Sequence, residues 1–371
     1  MTSTRQRKDR PIPPPQRSPY SIRPVHWTDI PAIRRLRGET ARLDMPEGII
    51  SGLRPARTAA RGMLPWLGNV WTFVLAKEGD VRAFAQARPR RDSHTWDVIY
   101  LAYGRKDRIG SAAARDAMWG GLLDAVTRTA GRRRATRLFA RAPDSADALI
   151  ALRDAGYITY GREMLYVAPY HKTRRQAGEQ STLHRQQGGE TWAIHQLYTL
   201  TTPKAMQFAE ARTSTYWDLP RTSSDRAAYW IGEAHEVTVY ARTLSGEHAY
   251  LIDVLFRPEA RDRTPEFIQN VLSTLSASEG DLIYVRALGH QEDLGGMLEA
   301  LGFSLLIRQS LLVKYTTISV REATPAFAPV PSLRKAVAGR VPSLSARRSE
   351  PIRLWRRIIW SPWPSHDGDL S

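Results

Sequence analysis

The chain has 371 residues, no cysteine and a formal net charge of +17. The lack of cysteine excludes disulfides, thiolate nucleophiles and cysteine-ligated metal sites, and it accords with a cytoplasmic protein. No apolar run reaches the ~20 residues that span a bilayer, and Met1 to Gln16 lack the apolar stretch of a secretory signal. The charge predicts attraction to nucleic acid, anionic lipid or acidic ligands. Because the basic residues are spread along the chain, a solvated arginine-rich surface is the competing reading.

Residues 1–18 read as a disordered arm, since Pro11, Pro13, Pro14 and Pro15 exclude helix. Tyr20 to Pro24 reads as a strand. Thr28 or Asp29 can then cap a helix with Pro31 in its first turn, where no amide donor is needed. Trp71 to Lys77 and Val81 to Arg88 are strands joined by a turn at Glu78-Gly79-Asp80. Trp96 to Tyr103 is nearly all apolar, which predicts a central strand. A long helix follows, with Trp119, Leu122, Leu123, Val126 and Ala130 on one face and Gly131 as its stop. Ala135 to Ala142 is the next strand.

The stretch 170–190 has almost no apolar content and reads as a linker. Thr191 to Tyr198 reads as a strand, and Thr202-Pro203 as the start of a helix bearing Ala205, Phe208, Ala209 and Arg212. Strands are expected near Glu236 to Thr243 and Tyr250 to Arg257, then a helix on Phe267, Ile268, Val271, Leu272 and Leu275, then a strand over Leu282 to Ala287. From about Ala323 to residue 371 the chain is rich in proline, serine and arginine and reads as a disordered basic tail. Its segment Ile352 to Trp360, with Trp363, is either an amphipathic anchor for a partner or anionic membrane surface, or a piece that docks back.

The two halves close alike. Arg141-Ala leads through a short amphipathic helix to Gly156-Tyr157 and a strand carrying Arg162. Arg286-Ala leads likewise to Gly302-Phe303 and a strand carrying Arg308. A repeated strand–helix–Gly-aromatic–strand unit predicts an α/β protein made of two tandem copies, 19–169 and 191–318.

This order of elements, with Ile22-Arg23-Pro24 and Asp29-Ile30-Pro31-Ala32-Ile33 at the start and Leu149 to Tyr157 at the close, resembles the Gcn5-related N-acetyltransferase (GNAT) superfamily. The resemblance implies two GNAT-like domains, each a mixed sheet flanked by helices. It also implies acyl transfer from acetyl-CoA, as substrate, to an amine, with the donor bound where the fourth and fifth strands splay apart. Phosphates would sit at the N-terminus of the long helix, on Arg115 with the backbone of Trp119, Gly120 and Gly121. The pantetheine arm would run along Leu101 and Tyr103. An alternative register uses Arg108-Ile109-Gly110-Ser111-Ala112. The second copy offers only Arg257 to Glu266 there, with no glycine, and so reads as degenerate. The family's proton-donating tyrosine falls on Leu152 and Leu298.

One polar feature recurs: Asp97 on the central strand and Asp253 on its counterpart. Aspartate is disfavoured inside strands. Asp97 is therefore either the general base or amine-binding group facing the cleft, or else half of an ion pair with a neighbouring arginine or a solvated strand start. The histidines show no metal-ligand spacing, so no metal is expected. The competing function class is a catalytically inactive tandem scaffold that binds an anionic partner: nucleic acid, a membrane surface or an acidic protein.

Overall fold

A computed structural model describes residues 20–316, apart from 37–39, 45–47, 51, 53, 65–68, 91–93, 105–111, 145–146, 172–182, 220–225 and 234–235. The expected arm (1–18) and tail (323–371) lie outside the described residues.

Among the described residues, thirteen strands form one mixed sheet. The first half supplies β1 (Tyr20–Pro24), β2 (Thr40–Arg42), β3 (Trp71–Lys77), β4 (Asp80–Pro89), β5 (Thr95–Tyr103), β6 (Arg137–Pro143) and β7 (Ile158–Pro169). The second supplies β8 (His184–Arg185), β9 (Arg226–Glu233), β10 (Glu236–Ser245), β11 (Ala249–Phe256), β12 (Leu282–Leu288) and β13 (Ser304–Tyr315). The order is β1-β3-β4-β5-β6-β13-β7-β12-β11-β10-β9-β8, with β2 on β5. β5 and β6 run parallel, as do β11 and β12, and the other neighbours are antiparallel.

The order shows an exchange. β13 ends the second half yet lies between β6 and β7, and β7 ends the first half yet lies between β13 and β12. Each half therefore completes the other's sheet. The cores follow the same exchange: Leu312 of β13 packs in the first core beside Leu122, Leu138 and Leu152, whereas Tyr166 and Ala168 of β7 pack in the second beside Ile283 and Leu298.

Helices cover both faces. On one lie α3 (Ala112–Arg132) and α4 (Asp147–Asp154), then α7 (Thr264–Thr274) and α8 (Glu292–Ala300) of the second half. On the other lie α1 (Ile30–Arg35) and α2 (Pro55–Gly62), then α5 (Thr191–Thr201). A further helix, α6 (Lys204–Glu210), follows α5. β5 is buried along its whole length, as expected of a central strand. The apolar face read along α3 is buried as expected.

Three local readings are corrected. Thr191 to Tyr198 is helix, because Ala193, Ile194, Leu197 and Tyr198 bury one helical face while Trp192 stays outside. The first strand of the second half is β8, inside the stretch read as linker and paired with β9. Asp29 does not cap α1 with its side chain. Its carboxylate instead takes Arg23 at 2.6 and 2.9 Å and the His26 amide at 2.8 Å, clasping β1 to the helix start.

The repeated glycine-aromatic pairs have a local cause. Gly156 and Gly302 have φ of +85° and +79°, the left-handed region that glycine enters without strain. The next amide then turns back: Tyr157 N–H donates to Leu152 O at 3.0 Å and Phe303 N–H to Leu298 O at 2.9 Å. This closure satisfies helix-end carbonyls and is accompanied by apolar contact across the turn. Leu152 and Leu298 are wholly buried, so an apolar side chain meets the packing there.

Candidate functional site

The two parallel strand pairs part at the recurring aspartates. β5 and β6 pair from Thr95–Arg137 to Asp97–Phe139. β11 and β12 pair from Ala249–Leu282 to Asp253–Arg286. Beyond those points neither pair continues its ladder.

In the first half the gap is filled by the chain itself. β2 runs antiparallel to β5, matching Ala41 with Leu101 and Arg42 with Tyr100. Leu43 then bridges both strands: its amide donates to Ile99 O at 2.9 Å and its carbonyl accepts from Arg141 N at 2.9 Å. The backbone of Leu101 is thus already paired, and the Leu101 and Tyr103 side chains are buried. Tyr103 meets the Trp119 ring edge-on at 5.3 Å.

The expected phosphate residues are placed by the start of α3 at Ala112. Arg115 falls in the first turn, where amide N–H groups lack intrahelical acceptors. Trp119, Gly120 and Gly121 fall two turns in, where amides bond within the helix. Trp119 is wholly buried. A side chain at Gly121 would come within 2.7 Å of Ile22 Cδ1, so this glycine lets α3 approach β1. The alternative register ends at the helix start, but Arg108 to Ser111 lie outside the described residues. In the second half a 3-10 turn, Pro258–Arg263, precedes α7, and the Gln291 amide donates to Val254 O at 2.8 Å at the parting of the strands.

Both aspartates sit in ion pairs. One Asp97 oxygen accepts from Arg90 at 2.9 and 2.6 Å. Asp253 accepts from Arg286 at 2.8 and 2.6 Å and from Arg242 at 3.1 Å. Burial alone would raise the Asp253 pKa; Arg286 and Arg242 outweigh it and hold this carboxyl well below its usual range.

A second polar site lies where the halves meet. A partly enclosed cleft is lined by Arg141, Glu163, Glu210, Arg212, Arg242, Asp253 and Arg286, with Trp217 and Tyr240 among its walls. Glu163 of β7 is only 2% exposed; it accepts from Gln309 of β13 and faces Arg141 of β6 at 3.2 Å. Gln309 is the counterpart of Glu163 in the repeat, so the pair stands at the exchange itself. Glu210 takes Arg212 at 2.8 Å and the Tyr198 hydroxyl at 3.0 Å. Tyr216 accepts from Arg242 at 3.0 Å. Burial works to raise the Tyr216 pKa, but Arg212 and Arg242 prevail and bring it down to about 8. Tyr157 and Tyr160 are instead pushed well up by burial and hold their protons. The His290 ring nitrogens have no hydrogen-bond partner, and burial favours its neutral form.

Glu163, Arg212, Tyr216 and Arg242 were not singled out from the sequence as site residues. The repeat held one signal: Arg141 and Arg286 open its two copies, and both reach this cleft. Among the described residues, no group of three or more acidic or histidine side chains could hold a metal ion. No helix of the described residues is long and apolar enough to cross a membrane.

No protein-family model matches the chain, and no curated protein does. Solved structures resemble it. A GCN5-related N-acetyltransferase from Sphaerobacter thermophilus matches with a TM-score of 0.51 at 14% identity, over 81% of this chain and 96% of that one. A tandem GNAT protein from the clavulanic acid biosynthesis pathway matches with a TM-score of 0.45 at 13% identity, over 81% and 99%. At such identity the likeness is one of fold.

Proposed function

From a chain with the GNAT superfamily fold, we propose an acyl-CoA-dependent N-acyltransferase whose first copy (19–169) takes the acyl donor and whose second (191–318) is degenerate. The observation that supports this is the parting of β5 and β6 after Asp97, with α3 starting at Ala112. A helix start offers free amides and a favourable dipole to phosphates. Arg115 lies in the first turn of that helix. The donor's arm would use the β5 edge that Ala41 and Leu43 now occupy, so the two compete for the same backbone groups. Asp97 faces the parting of the strands as the amine-binding or proton-accepting group, and Arg90 must release it for either role.

The second reading, an inactive scaffold for an anionic partner, is favoured by that filled edge. One titration separates the two. Acetyl-CoA at a hundredfold excess over its dissociation constant should stabilise the protein by ~2.7 kcal/mol. Arg115→Ala should weaken the effect, and Ala41→Pro, which removes a strand N–H, should strengthen it. No thermal shift at millimolar acetyl-CoA, in either the natural chain or Ala41→Pro, rejects the enzyme. Salt-steep nucleic-acid binding that is lost when the chain ends at Ala323 would then support the scaffold.

A further inference from the structure

The cleft between the halves carries more positive charge than its own walls balance. Four guanidiniums, Arg141, Arg212, Arg242 and Arg286, line it against three carboxylates, Glu163, Glu210 and Asp253. Each carboxylate already has a close arginine: Arg141 at 3.2 Å, Arg212 at 2.8 Å and Arg286 at 2.6 Å. Arg242 shares Asp253 with Arg286, and its other partner is the Tyr216 hydroxyl. Uncompensated charge in a partly buried cleft is costly, and an anion relieves it.

The cations are also held in place. Arg212 lies against the rings of Tyr198, Tyr216 and Trp217 at 5.1, 4.4 and 5.6 Å. Arg242 lies against Tyr216 at 5.0 Å. Side chains fixed before a ligand arrives lose little entropy on binding it. Val254, Leu255 and Leu288 supply an apolar wall beside them.

We propose that this cleft binds a small molecule through one carboxylate or phosphate group, received by Arg242 and Arg212. The groups facing the Tyr216 hydroxyl are Arg212, Arg242 and Asp253, with the Tyr198 and Tyr240 hydroxyls also near enough to couple. Tyr216 sits beside the lining, against Arg242 and Arg212, and once ionised it is a counter-charge to them. An incoming anion and the phenolate therefore exclude each other, and anion binding weakens as pH rises past about 8.

The test is calorimetric titration of the full chain with inorganic phosphate and, separately, with acetate, without acyl-CoA and at constant ionic strength. At pH 7 saturable one-to-one binding of either probe is expected, and which one binds tells phosphate from carboxylate. Arg242→Gln should weaken it by about tenfold or more, while the exposed Arg128→Gln should not. Tyrosinate absorbance gives a readout on the natural chain. One tyrosine should ionise near pH 8, vanish in Tyr216→Phe, and move to higher pH at saturating probe. Absence of saturable binding by both probes, binding undiminished in a folded Arg242→Gln, or a Tyr216 titration untouched by probe overturns the site. Failure of acetyl-CoA to bind leaves it standing.

Discussion

Replacing Asp253 by asparagine isolates the buried charge that the second copy has placed at its strand parting. Asp253 accepts guanidinium hydrogen bonds at 2.6, 2.8 and 3.1 Å from two arginines. Breaking a buried pair costs ~3–5 kcal/mol. The side chain is 23% exposed, and asparagine keeps one acceptor oxygen. Solvent and that oxygen offset part of the loss, leaving about 3 kcal/mol at pH 7. The pH dependence follows from the lowered folded pKa. The carboxylate's contribution is complete above the unfolded value of ~3.9 and disappears as pH falls towards the folded one. Urea unfolding of both proteins from pH 7 down to pH 3, read as midpoint shifts at fixed slope, measures it. The gap should be widest at neutral pH and narrow below about pH 4. A loss under about 1 kcal/mol at pH 7, or a gap that does not change with pH, would refute the ion-pair account.

Leu312→Ala should cost the protein ~2–5 kcal/mol by urea unfolding, because this side chain of the last strand fills the first half's core. Gly120→Ala should stabilise by ~0.5–1 kcal/mol, since the residue lies inside α3 with nothing within 4 Å of an added methyl; destabilisation would assign the glycine another role. Cleavage at a protease site placed between residues 172 and 182 should leave two pieces that co-elute on gel filtration, because β7 and β13 each pair with the other piece's strands. Separate elution would show that the exchange contributes little.

How far the fold was legible depends on how local its causes are. Gly156-Tyr157 and Gly302-Phe303 could be read directly, because a left-handed glycine and one returning amide close a helix whatever surrounds it. The interior position of β5 was written in its unbroken apolar run. Thr191 to Tyr198 misled because its alternating large side chains satisfy a strand pattern as well as a helical one. It took packing against Trp217 and Tyr240 to bury the helical face.

Around the strand partings the sequence showed only part of what the structure holds. Asp97 and Asp253 could be placed on corresponding strands, but their arginines are 7, 11 and 33 residues away, and only pairing brings them together. Nothing in Thr40 to Leu43 announces a segment that closes the β5 edge. Sequence alone determined that a strand–helix–Gly-aromatic–strand unit recurs and where its two helices end, since those rest on contacts within a few residues. Tertiary structure decided which closing strand completes which half. β7 and β13 are both twelve residues long, and either could border β6 or β12. The choice rests on pairings made across the whole chain, and with it came the arginine-lined cleft at the exchange.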